Sequence, residues 1–205
     1  MSQVAWAAQV AGKPVSTKEI DEREAALRAG NRASALPRPG TSEGRQLRRW
    51  LTQLVVAERV VDGEATARGL AALGAPGLDE VLPDTAARLE IGSVAAATLG
   101  TPIARAVFAD VTAAVEVSDA EVTAYHARNP LRFAEAQTGP HGWRTRPPAP
   151  ALDELHDRIA AHLRAAARRQ AFRQWLDARC AALVELAPGY EHPGDPRQPD
   201  NTHKH

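Results

Sequence analysis

Apolar residues along this chain recur mostly at helical spacing, and the clearest run begins near Arg45. Leu47, Trp50, Leu51, Leu54 and Val55 fall at i, i+3, i+4, i+7 and i+8, one face of a helix. Asp62-Gly63 is expected to interrupt that helix before a second run to Leu73-Gly74. Ahead of it, residues 4–10 predict a short strand that turns at Gly12-Lys13-Pro14. Ser16-Thr17-Lys18-Glu19 has the Ser-x-x-Glu form of a capping box, opening a helix that carries Ile20 and Leu27 and stops near Gly30-Asn31. Residues 33–44 hold Pro37, Pro39, Gly40 and Gly44 and predict a loop.

Beyond residue 75 the pattern shortens. Pro83, Gly92, Gly100 and Pro102 cut residues 75–117 into brief helical pieces. Ser118-Asp119-Ala120-Glu121 is a second capping box, and its helix ends at Asn129-Pro130 because proline disfavours helical geometry in the residue before it. Residues 134–150 predict an irregular connection. A long helix follows from about residue 152 to residue 186. Its first half offers Leu152, Leu155, Ile159 and Leu163, and its second half Phe172, Trp175, Leu176 and Leu183. The two stripes are out of phase, so the helix either bends or is covered on two sides. Residues 183–186 are also expected to pair with the N-terminal strand as a small β element. The fold class is therefore mainly α: one helical domain over residues 1–187, then an extended tail at 188–205.

Composition narrows the function classes. Lys+Arg and Asp+Glu are each 25, so the formal net charge is zero. A nucleic-acid or anionic-membrane partner calls for excess positive charge, and neither is expected. Cys180 is the single cysteine, which excludes an internal disulfide framework and a multi-thiolate metal site. Residues 1–15 lack the basic and apolar regions of a signal peptide, and no apolar stretch approaches the ~20 residues that span a bilayer. The reading is a cytoplasmic protein.

Three segments resemble the helical chaperone module of SurA- and PrsA-type parvulin-linked foldases. They are Gly12-Lys13-Pro14-Val15-Ser16 with Glu19-Ile20-Asp21; Leu51-Thr52-Gln53-Leu54-Val55-Val56 with Glu64-Ala65; and Val117-Ser118-Asp119-Ala120-Glu121-Val122 with Tyr125, Asn129-Pro130 and Phe133. In that family a parvulin domain of about a hundred residues, an ordinary domain size, follows the phenylalanine. Here residues 134–150 stand in its place, so the resemblance implies the chain-cradling helices without the prolyl-isomerase activity. More loosely, the chain is similar to small actinobacterial accessory proteins of polyketide clusters.

Candidate chemistry lies in four places. Gly40-Thr41-Ser42-Glu43-Gly44 matches the G-x-S-x-G of nucleophile elbows, but the elbow needs a preceding strand, and Pro37 and Pro39 precede this one. The reading adopted is a loop with Thr41 or Ser42 capping the next helix. The tail gathers Tyr190, His192, Asp195 and His203 among four prolines, a set suited to proton transfer near neutral pH. A metal there is not expected. Within residues 134–150, His141 is a further proton carrier, and Trp143 with Arg144 suits a phosphate or carboxylate. Trp50, Phe133 and Trp175 are candidates to line an apolar groove that the tail closes. Arg158, Arg164, Arg168, Arg169 and Arg173 read as a solvated basic face, and Cys180 as a buried structural thiol. His126, His156 and His162, on helices, read as surface or satisfied side chains.

Two functions stand beside each other. One is a SurA-like binding module that cradles an extended peptide or docks on a partner enzyme or a second copy. The other is a polyketide accessory enzyme, a double-bond isomerase acting on a carrier-protein-bound acyl chain with His192, His203, Asp195 and His141 moving protons. Neither calls for a cofactor, since no G-x-G-x-x-G unit or P-loop occurs.

Overall fold

A computed structural model of the chain describes residues 6–31, 33–133, 137–138, 144–145 and 150–192. Strands β1 (Trp6–Val10) and β2 (Lys13–Ser16) form a hairpin, with Val10 opposite Lys13. The two-residue turn holds Ala11 at φ 48° and Gly12 at φ 75°. Such turns require positive φ at both centres, and glycine meets this freely while Ala11 carries backbone strain. Pro14 lacks an amide hydrogen and sits in β2, an edge strand of the sheet order β2-β1-β5, where that loss is tolerated. β5 (Val184–Leu186) pairs antiparallel with β1, Gln9 opposite Glu185, so the expected terminal β element is present.

Helix α1 (Thr17–Arg28) is capped by Ser16, which accepts from the Glu19 amide at 3.2 Å. The reciprocal half of that box is replaced: the Glu19 carboxylate takes Arg59 at 2.6 Å. Helix α2 (Ser42–Arg68) starts from Thr41, whose hydroxyl accepts from the Gly44 amide at 3.1 Å. Gly44 packs so closely on the Arg38 carbonyl that a Cβ there would clash with it. The G-x-S-x-G match thus marks a helix N-terminus and a close backbone approach, with no strand before it.

The interruption expected at Asp62-Gly63 does not occur. α2 runs through it to Gly69, whose φ of 65° closes the helix. Val60, Val61 and Ala65 are buried on either side of Gly63, and their packing outweighs the roughly 1 kcal/mol cost of a mid-helix glycine.

α3 (Leu78–Val81), α4 (Thr85–Ile91), α5 (Ser93–Thr98) and α6 (Pro102–Val111) are the short pieces that prolines and glycines impose. α7 (Asp119–Arg128) has the full capping box, Ser118 and Glu121 each bonding the other's backbone, and ends at Asn129. The stretch expected to be irregular contains a two-residue ladder, β3 (Gln137–Thr138) with β4 (Arg144–Thr145). The long helix α8 (Leu152–Leu183) ends three residues earlier than the apolar pattern suggests, and β5 follows directly.

Contacts divide the chain into two compact units: residues up to Val111 with those from Phe172 onward, and residues from Thr112 to Ala171. The first contains the larger core, in which Val15, Ile20, Leu51, Leu99, Val107 and Phe172 are fully buried. The second is built on Val122, Leu155 and Ile159, with Tyr125 and Phe133 against them. The out-of-phase stripes of α8 follow from this: Leu155 and Ile159 serve one core, Phe172 and Leu176 the other.

The basic row on α8 is not merely a solvated face. Arg169 is only 6% exposed, Arg168 donates to the Thr112 hydroxyl at 2.8 Å, and Arg158 lies over the Phe133 ring at 5.1 Å. No helix among the described residues is long and apolar enough to cross a membrane.

Candidate ligand cavity

Within the first unit, residues of α2, the α4–α5 junction, α8 and β5 line a half-open cavity of about 640 Å³. α2 contributes Gln53 and, one turn on, Ala57. The α4–α5 junction contributes Ile91 to Ala95, where Gly92 turns the chain at φ 90°. α8 contributes Arg173, Leu176, Asp177, Cys180 and Ala181, spaced by three and four so that they share one side. β5 adds Val184 and Leu186, and His192 stands at the rim. Ala57, Ile91, Ala95 and Leu176 are buried and make an apolar interior. A volume of this order with a mainly apolar lining is within the range of small-ligand sites.

Local bonds hold the walls in place. Trp50, one turn before Gln53, donates its indole N–H to the Ser93 hydroxyl at 3.0 Å and so pins the start of α5 to α2. After β5, the Ala187 amide donates to the Ala7 carbonyl at 3.0 Å, and Arg49 donates to the Gly189 carbonyl at 3.2 Å. Tyr190 packs on the large core. The Arg48 guanidinium stands above the usual arginine range: burial opposes its charge, and hydrogen bonds to Tyr190 and to Asp21 outweigh that penalty. These contacts carry the chain to His192, which is exposed.

The polar groups at the cavity differ in kind. Arg173 and Asp177 are exposed and 3.8 Å apart, a pair of little energetic weight. Gln53 differs from them: its Nε2 is sealed from solvent and has no hydrogen-bond partner among the described residues. Cys180 is half-buried; burial first, then the Asp177 charge, pushes its thiol up to about 11.

A cysteine whose folded value lies above the unfolded one favours folding at low pH. That contribution is complete below about 9 and is lost as pH rises toward about 11. At pH 8 a thiol near 11 carries roughly a hundredfold less thiolate than the same group near 9 in the unfolded chain. Alkylation of native Cys180 by iodoacetamide should therefore run about a hundredfold slower than in urea, and equal rates would contradict its burial.

The candidate residues are distributed as follows. His192 is at the cavity. Trp50 and Trp175 are not in its lining: Trp50 braces Ser93, and the Trp175 ring lies 5.5 Å from Phe172 on the core. Tyr190 serves as the anchor of the segment after β5. Phe133 belongs to the second unit, with ring centroids 6.4 Å from Tyr125 and 5.7 Å from His162. Arg144 lies in β4. His141, Trp143, Asp195 and His203 lie outside the described residues.

The helical histidines are engaged. His126 meets the Pro150 carbonyl at 3.0 Å, His162 the Tyr125 hydroxyl at 3.3 Å, and His156 the Asp119 carboxylate at 3.2 Å. No group of three or more His, Cys, Asp or Glu among the described residues is placed to hold a metal ion.

Sequence reasoning passed over Gln53. Its signal was a polar residue three positions after Trp50 and four before Ala57, on the flank of the α2 apolar stripe.

A protein-family model described as "Family of unknown function (DUF7158)" matches residues 6–43, which span the hairpin, α1 and the start of α2. No curated protein matches the chain, and no solved structure does.

Proposed function

We propose that the chain is a binding module that holds the apolar part of an extended chain in the cavity between α2, α5, α8 and β5. The observation that carries this is a cavity of about 640 Å³ with buried apolar walls, in whose lining one polar atom, Nε2 of Gln53, is sealed from solvent and lacks a partner among the described residues. The resemblance of residues 12–21, 51–65 and 117–133 to the SurA-type chaperone module supports the same reading, since that module cradles chains. A raised Cys180 thiol supplies little nucleophile near neutral pH, and binding needs none.

The test uses N-phenyl-1-naphthylamine, an uncharged apolar fluorophore. The intact protein should enhance its emission saturably. Ala181 lines the cavity from an exposed position on α8, so Ala181→Trp fills the space without crowding the core. That variant should bind at least about tenfold more weakly, the loss of one good apolar contact, with an unchanged far-ultraviolet spectrum. Undiminished binding would sink the reading.

A further inference from the structure

We propose that the cavity selects an acyl group whose carbonyl is uncharged, an ester or thioester, with that oxygen accepting a hydrogen bond from Gln53; this rests on the binding reading above. Two side-chain nitrogens among the described residues are buried without a partner: Nε2 of Gln53 and Nε of Arg179. Only Gln53 belongs to this cavity. Both orphans are donors, and no side-chain acceptor among the described residues is in that state. The ligand that completes this site therefore brings an acceptor.

A peptide bond brings an N–H with every carbonyl, and against the buried apolar wall of Ala57, Ile91, Ala95 and Leu176 that donor would face no side-chain acceptor. An ester or thioester carbonyl brings none. A carboxylate is disfavoured for another reason: Gln53 is neutral, and Arg173 is exposed beside Asp177, so among the described lining residues no buried cation offsets desolvation of an anion.

The fit needs one adjustment. Water does not reach Nε2 as it stands, so its missing bond is not made by solvent. The terminal amide torsion of glutamine is broad, so a partial turn of that group, which does not exchange the oxygen into the sealed position, presents the N–H to a ligand at small cost. Ligand binding then restores a bond whose absence is costly in the empty site. Ala57, Ile91, Ala95, Leu176, Val184 and Leu186 receive the alkyl part.

Displacement of bound N-phenyl-1-naphthylamine tests this with four probes: methyl octanoate, octanoate, hexylbenzene and N-acetyl-leucyl-leucine amide. Gln53→Leu should weaken methyl octanoate by about tenfold, the size of one hydrogen bond in a buried site. Hexylbenzene should bind the variant equally well or better, and Gln53→Met should repeat the pattern in a second near-isosteric background.

The S-octanoyl thioester of N-acetylcysteamine sorts thioester from oxoester, and dependence of either on Gln53 supports the assignment. Equal effects of Gln53→Leu on methyl octanoate and hexylbenzene would overturn it while leaving the cavity as a binding site. Tighter binding of octanoate or of the dipeptide than of the ester would overturn it as well. Failure of the fluorophore itself to bind would remove the binding reading and this assignment together.

Discussion

Phe172→Ala should cost about 3–5 kcal/mol of stability, as truncation of a buried phenylalanine does. Phe172 is 0% exposed, and its ring lies 5.5 Å from Phe108, tilted by 58°, and 5.5 Å from Trp175, tilted by 31°. These are tilted arrangements at a centroid separation where aromatic rings attract beyond the area they bury. Alanine would leave a void bounded by two rigid rings, and rigid neighbours collapse poorly into a void. Such a loss is a large part of a typical 5–15 kcal/mol total. Urea unfolding followed by far-ultraviolet circular dichroism checks it, with Phe172→Leu as the milder comparison. A loss below about 1 kcal/mol would mean that the ring is not packed between these partners.

Ile159→Ala should act in the second unit, where the buried cluster among the described residues is Val122, Leu155 and Ile159. Ile159 is 0% exposed, and the expected loss is about 2–5 kcal/mol. With so few residues sharing the burden, opening of this unit should become far more frequent. Hydrogen exchange should show it as lost protection in α7 and in α8 between residues 152 and 165. A uniform loss along the whole chain would instead show that both cores open as one.

How far the sequence foretold this depends on whether the deciding partner was local. The capping box at Ser118 formed completely because no distant group among the described residues draws Glu121 away from its own helix end. The box at Ser16 formed by half, since Arg59, forty residues away, draws Glu19 aside. Gly63 looked like a break because the intrinsic cost of glycine is readable locally, whereas the burial of Val60, Val61 and Ala65 around it is not. The two faces of α8 were visible as spacing, and the two cores that they serve were not. Arginine spacing suggested solvent, but Arg169 is buried, a fact set by tertiary packing rather than by the helix itself.

The site was the least legible part. Aromatic residues were natural guesses for a groove, and Trp50 and Trp175 instead support the core beside it. The cavity draws on residues 53–57, 91–95, 173–186 and 192, so no single stretch of sequence carries its pattern. Its most telling side chain is an amide, a residue type that no catalytic motif flags.

The pairing of β1 with β5 has a consequence for how the protein is made. Val10 waits for Val184, its partner in the ladder, and the Ala7 carbonyl waits for the Ala187 amide. At roughly 5–20 residues per second, a ribosome takes roughly ten to thirty-five seconds to supply the intervening stretch. During that time β1 presents the unpaired edge that β5 will later cover, and unpaired strand edges are where nascent chains associate wrongly. The unit from Thr112 to Ala171 is contiguous and is complete before β5 exists. Vectorial synthesis therefore delivers the inserted unit whole while the sheet of the enclosing one is still open, and slowing translation between residues 112 and 184 should lengthen the interval in which a chaperone can engage that edge.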